Sequence, residues 1–172
     1  MPYGTDQGFT DWLAARGYTL PGDAPSGAVL RQLGSDYVDS TYGPRFRGQP
    51  TAGYTQAEAW PRTGATAHGG AIPDDVVPVA VEQASYYAAW QEASSPGSLS
   101  AVQSQAGLVK QERVEGAVSV TYQDVQQEST VPYDPLKPDA STPILTKVDG
   151  MLKPYLVLAD FGVGAWTVGP DI

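Results

Sequence analysis

The sequence predicts a small, mainly α-helical bundle of about four helices, with one β-hairpin, long ordered connectors and an extended C-terminal tail. Three observations carry this. Four segments space their apolar residues as helices do, and one pair of short segments around Glu115-Gly116 alternates apolar with polar. The 19 glycines and 15 prolines among 172 residues leave long stretches between these elements. A chain of this length fits one domain, expected over residues 1–154 with 155–172 as the tail.

The first helix is expected from Thr5 to Arg16. Phe9, Trp12, Leu13 and Arg16 stand at i, i+3, i+4 and i+7, Thr5 suits the N-cap, and Gly17 suits the residue just past the end. After the Leu20-Pro21-Gly22-Asp23 turn a second helix runs from about Pro25 to Tyr42, with Leu30, Leu33, Tyr37, Val38 and Tyr42 as its apolar stripe. Gly34 interrupts it at a cost of about 1 kcal/mol relative to alanine, and Gly43-Pro44 ends it. Residues 43–71 show no periodicity, and connectors this long are usually functional or ordered by a partner. A third helix is expected after Ile72, with Pro73 at its first position and Asp74-Asp75 at its positive dipole end. Its expected buried face is Val76, Val77, Ala80, Ala84, Tyr87 and Ala88, and its end lies near Ala93.

The hairpin is expected over about residues 108–122, where Val118, Val120 and Tyr122 share one face opposite Ser119 and Thr121. A lone two-stranded hairpin is marginal in water, so that face should lie on the helices or on an adjacent subunit. Residues 124–142 form a second connector stiffened by three prolines, and a last helix opens at Thr142-Pro143 with Ile144, Leu145, Val148, Met151 and Leu152 as its stripe. Pro154 closes it. The segment 155–172 is too apolar for an ordinary disordered terminus.

Composition removes several classes of function. Ten Lys and Arg against 19 Asp and Glu give a net charge of −9, the wrong sign for gripping nucleic-acid phosphates or an anionic membrane. The absence of cysteine excludes a disulfide scaffold, thiolate zinc and a cysteine nucleophile. The N-terminus lacks a basic region followed by an apolar one, and no apolar run approaches a membrane span, so a soluble chain with no membrane partner is expected.

No catalytic constellation emerges. His68 is the only histidine, flanked by small residues in a connector, where a solvated surface role is the ordinary one. No Gly-x-Ser-x-Gly elbow exists to supply a nucleophile for it. Asp74-Asp75 has a sufficient explanation in the helix dipole. Gly162-x-Gly164 with Gly169 lacks the spacing and the following helix of a dinucleotide loop. The chain is expected to be no enzyme and to hold no metal or cofactor.

Two features remain. Arg45, Arg47 and Arg62 are interleaved with Phe46, Tyr54 and Trp60. Arginine beside aromatics can stack single-stranded bases or anchor a protein interface, and the acidic background favours the interface. The tail residues Leu156, Leu158, Phe161 and Trp166 either fold back on the chain's own core or dock on another chain. Expected partner contacts are therefore Leu156, Leu158, Phe161, Trp166, Arg45, Arg47, Trp60 and Arg62, with Val118, Val120 and Tyr122 as a subunit interface.

The order of landmarks resembles the head–tail connector (adaptor) proteins of long-tailed bacteriophages. The matching stretches are Arg45-Phe46-Arg47-Gly48, Glu58-Ala59-Trp60-Pro61-Arg62-Thr63-Gly64-Ala65, Ile72-Pro73 before an alanine-rich helix, Lys110-Gln111-Glu112-Arg113-Val114-Glu115-Gly116 before Val118-Ser119-Val120-Thr121-Tyr122, and Leu152-Lys153-Pro154-Tyr155-Leu156. Members of the same sequence group also carry the label of DnaT-like single-stranded-DNA-binding proteins. The resemblance implies a structural virion protein made in the host bacterial cytoplasm and placed at the neck. There it forms a homo-oligomeric ring, commonly a dodecamer, below the portal protein and above a neck or tail-completion protein. DNA passes through the lumen without specific binding, which an acidic wall would favour. The alternative is a single-stranded-DNA-binding protein of phage replication. The chain differs from the connector pattern in its long polar 124–142 connector and its apolar extension beyond Tyr155.

Overall fold

The computed structural model describes residues 1–100 and 143–157, which form the small, mainly α fold that the sequence predicts. The expected hairpin over 108–122, and with it Val118, Val120 and Tyr122, lies outside the described residues, as do Leu158, Phe161 and Trp166. Among the described residues no helix is long and apolar enough to cross a membrane.

Helix α1 spans Asp6–Arg16. Thr5 caps it by accepting a hydrogen bond from the Gly8 amide at 2.9 Å, and Gly17 ends it in the left-handed region at φ 66°. Helix α2 spans Gly27–Tyr42 behind Ser26, two residues later than expected. Both starts are local events, set by a side-chain oxygen that satisfies a free amide.

Helix α3 differs more. It spans Val79–Ser94, so Pro73 does not open it and Asp74-Asp75 lies outside it. A helix begun at Pro73 would carry Pro78 in its interior, where the missing N–H and the clash with the preceding turn break the helix. Pro78 instead stands extended at φ −61° and ψ 137° as the cap. Asp74 and Asp75 are exposed in a preceding turn, and the Asp74 carbonyl accepts from the Thr51 hydroxyl at 2.8 Å. Asp74 and Asp75 therefore do not stand at a helix dipole. Val81, Ala84, Ser85, Tyr86, Ala88, Ala89 and Ala93 form the buried face, while Val76 is 42% exposed. Helix α4 spans Thr146–Leu152, later than Pro143, and buries Val148 and Leu152 while leaving Ile144 exposed.

Helices α2 and α3 pack along their length and share two core clusters. Phe9, Trp12 and Leu13 of α1 meet Leu30, Tyr86 and Ala89 in one; Tyr37, Val38, Tyr42, Val81, Val148 and Leu152 belong to the other. Ahead of α1, the Arg31 guanidinium pairs with Asp6 at 2.8 Å and donates to the Tyr3 and Gly4 carbonyls.

The 43–71 connector is built rather than loose. Strand β1 (Gln49–Pro50) pairs antiparallel with β2 (Arg62–Thr63), and β3 (Thr66–Ala67) with β4 (Gly70–Ala71). His68 and Gly69 turn the second pair with φ of 50° and 79°, as a two-residue hairpin turn requires. His68 is exposed, edge-on to Tyr155. The chain continues past Pro154 within the same core: Phe46 and Leu156 form an antiparallel bridge, flanked by bonds from the Arg47 amide to the Tyr155 carbonyl and from the Val157 amide to the Arg45 carbonyl.

Four buried tyrosines, Tyr3, Tyr37, Tyr42 and Tyr86, have hydroxyl pKa values raised above the ordinary 10, chiefly by burial. Above pH 10 the unfolded chain releases these protons and the folded chain retains them, so stability falls as pH rises. The slope is steepest where the unfolded chain has lost the proton and the fold still holds it, and Tyr3 and Tyr42, the most strongly shifted, contribute most to it. Urea denaturation between pH 8 and 11 should show this decline, and Tyr3→Phe should make it shallower by one such contribution.

Candidate functional site

The site is the strap from Gly43 to Ala67, where the sequence places its arginine and aromatic residues. Arg62, on β2, is 5% exposed, and its guanidinium is spent on backbone carbonyls. Nε donates to Arg47 at 2.9 Å, Nη1 to Ala59 at 3.0 Å, and Nη2 to Phe46 at 3.2 Å and Gly48 at 2.7 Å. A rigid planar fork can tie four carbonyls from two arms of one loop, which a lysine cannot. Burial lowers the Arg62 pKa from its ordinary value.

Gly48 belongs to this joint. At φ 76° a side chain would be strained, and a Cβ there would come within 2.4 Å of the Thr63 carbonyl oxygen. Trp60 and Phe46, each 2% exposed, pack edge to face at 5.5 Å, and Tyr155 also meets Trp60 edge to face at 6.2 Å. The Trp60–Pro61 peptide is cis.

The strap is also tied to α2 through Asp39, a residue that the sequence does not single out. Its carboxylate accepts from the Tyr3 hydroxyl and from the Ala59 amide at 2.9 Å, while the Tyr3 oxygen accepts from the Trp60 amide at 3.2 Å. Burial raises the Asp39 pKa, and these two hydrogen bonds oppose the rise. An aspartate one residue past the fully buried Val38 was the available signal, but its partners lie 20 and 36 residues away in the chain.

Between α2 and the two arms lies an open cleft of about 630 Å³. Asp39, Pro44, Phe46, Pro50, Ala57 and Val157 are among the residues that line it. Among the described residues no group of three or more acidic or histidine side chains could hold a metal.

Of the predicted contact residues, Trp60, Arg62 and Leu156 lie inside the protomer rather than on a partner-facing surface. Arg47 is half-buried, with Nε donating to the Leu156 carbonyl at 3.0 Å. Arg45 is half-buried over the Tyr42 ring at 5.6 Å. Tyr54 alone of the island's aromatics is fully exposed, at 101%. The structure thus brings Arg47, Arg62, Phe46, Trp60 and Leu156 together, but as a joint that closes the strap.

A family model described as "Putative DnaT-like ssDNA binding protein" matches residues 3–168. The chain belongs to this family. No curated protein and no solved structure matches it.

Proposed function

We propose that the chain is a structural subunit of a tailed phage, a head–tail connector assembled as a homo-oligomeric ring between the portal and the next neck or tail-completion protein. DNA passes through its lumen without specific binding. The observation that carries this reading is the fate of the basic and aromatic island. A single-strand binder needs arginines free for phosphates and aromatic faces free for bases. Here Arg62 is sealed by four carbonyls, Phe46 and Trp60 are buried, and the chain as a whole carries −9. Among the described residues, Arg31 pairs with Asp6, Arg16 lies over the Trp12 ring and Lys147 over the Tyr87 ring. An acidic protomer whose Arg31 and Arg62 serve its own fold suits a wall past which phosphates slide.

The family description and the exposed Tyr54 favour the second reading, single-stranded-DNA binding. One pair of measurements separates them. In a salt series with a single-stranded oligonucleotide, the connector reading expects weak binding with little slope. A binder making three phosphate contacts would show a log–log slope of about −2. Sub-micromolar affinity at physiological salt, lost on Arg45→Ala with Arg47→Ala, would transfer the function to DNA binding. Electron microscopy of purified virions is expected to place the chain at the neck, and its absence from the particle ends the connector reading.

A further inference from the structure

One surface of the bundle, away from the strap, gathers cations on aromatic rings. Tyr18 stacks on Trp90 with ring centroids 4.2 Å apart and planes 11° apart. Arg16 lies 4.5 Å over the Trp12 ring. Lys147 donates to the Tyr18 hydroxyl at 3.0 Å and lies 4.7 Å over the Tyr87 ring. Tyr18, Tyr87 and Trp90 are half-buried, and both cations are exposed. Among the described residues neither cation pairs with a carboxylate. Tryptophan, tyrosine and arginine together are the composition of an interface hot spot, and resting on rings holds the two cations in place before any partner arrives.

The same chain carries the complement of this surface. Asp74 and Asp75 are exposed in the turn before α3, beside Val76 and Val79, which are 42% and 64% exposed. The turn is held in shape: the Val76 amide donates to the Pro73 carbonyl at 3.1 Å, the Thr51 hydroxyl donates to the Asp74 carbonyl, and Pro78 stands extended behind it. Among the described residues neither carboxylate pairs with a cation. Val79 and Trp90 are eleven positions apart on α3, about 16 Å along its axis. The turn therefore does not cover the aromatic surface of its own protomer.

We propose that the Asp74–Val79 turn of one copy docks on the Arg16, Tyr18, Trp90 and Lys147 surface of a second copy. The two carboxylates meet the two cations, and Val76 and Val79 cover the rings. The match in charge is what selects a second copy: a chain with a net charge of −9 repels itself over most of its surface, and an acidic turn set against a basic patch fixes which surfaces can meet. A single-stranded nucleic acid fits this surface less well, because stacking bases needs free ring faces, whereas Tyr18 and Trp90 face each other and Arg16 covers Trp12. The contact names the partner surfaces of the ring proposed above and rests on that reading.

The test is sedimentation velocity on the full chain at low and at physiological salt. The parent is expected to self-associate, and less so as salt rises. Arg16→Glu with Lys147→Glu is expected to weaken association at least about tenfold, and so is Asp74→Lys with Asp75→Lys. An equimolar mixture of the two variants is expected to associate nearly as well as the parent, because each reversed surface then meets a reversed partner. Circular dichroism checks that the helices are intact. The Asp74 and Asp75 variant changes only exposed side chains of a turn, so it carries the test by itself if the Lys147 change loosens α4. A mixture no stronger than either variant alone overturns the contact, as does an Asp74 and Asp75 variant that associates like its parent. A parent that stays monomeric at sub-millimolar concentration also overturns it, while the connector reading is still decided by whether virions carry the chain at the neck. Loss of single-stranded-oligonucleotide binding in the Arg16 and Lys147 variant, with association unchanged, would overturn it and assign the surface to nucleic acid.

Discussion

Gly34→Ala is expected to destabilise the fold by at least about 2 kcal/mol, although alanine is the better helix former. Gly34 sits in α2 where it crosses α3. A Cβ there would lie 2.2 Å from the Ser85 carbonyl oxygen and 2.9 Å from the Ala89 amide nitrogen. Both are backbone atoms of α3 and cannot swing aside as a flexible side chain would. The two helices must separate, and Leu30, Val38, Val81 and Ala88, all fully buried, lose packing with them. Forcing a methyl into a packed interior costs about 1–3 kcal/mol and occasionally more. Backbone on the opposing side puts this site at the upper end, and the gain of about 1 kcal/mol in helix propensity offsets only part of it. For a chain of this size the loss lowers Tm by roughly 4–8 °C. Gly22→Ala is the control: a Cβ there meets no atom within 4 Å, and no loss is expected, with a gain of at most about 1 kcal/mol from the stiffer unfolded chain. Thermal and urea unfolding of the two variants measure this directly. A Gly34→Ala protein as stable as its parent would mean that the helices do not cross in contact here.

Arg62→Ala is expected to be at least as damaging, by about 3–5 kcal/mol, and in a different place. Removing the guanidinium leaves the Phe46, Arg47, Gly48 and Ala59 carbonyls without their donor. Each buried acceptor left unsatisfied costs about 1–3 kcal/mol, reduced wherever water can enter. The open cleft alongside admits water to part of the joint, which sets the expected total below the sum. Arg62→Lys should recover less than half of the loss, because a single ammonium cannot span both arms. Loss should be regional: amide exchange accelerates across residues 43–67 and 155–157, while α1 and the α2–α3 pair keep their protection. Uniform exchange across the whole chain would show that the strap and helices unfold as one unit. Unchanged exchange would show that the four bonds contribute nothing to stability.

The two sites were legible in the sequence to different degrees. Gly34 stands out as a helix interrupter, but a one-dimensional reading assigns it only a propensity cost. That it is the contact point of two helices depends on Ser85 and Ala89, some fifty residues along the chain. Arg62 stands out as one of three arginines among aromatics, and there the reading as a partner surface fails for a physical reason. Charge and aromaticity are properties of a side chain, whereas exposure is a property of its neighbours. Four carbonyls brought together by the β1–β2 pairing draw the guanidinium inward.

What the sequence determined by itself is what neighbouring residues settle between them. Helix α1 is capped by Thr5 and closed by Gly17, as the sequence predicts, because a capping oxygen and a left-handed glycine act within one turn. The acidic balance, the missing cysteines and the mainly α class follow from composition and period alone. A local rule also accounts for the start of α3 at Val79, because Pro78 breaks any helix begun at Pro73. Only the tertiary structure decided the rest: that Leu156 bridges to Phe46, that Asp39 takes the Tyr3 hydroxyl, and that the connector closes on itself as a strap. Each of these joins groups from 12 to 110 positions apart. Their pairing depends on how α2 and α3 pack, and no period or cap encodes that separation.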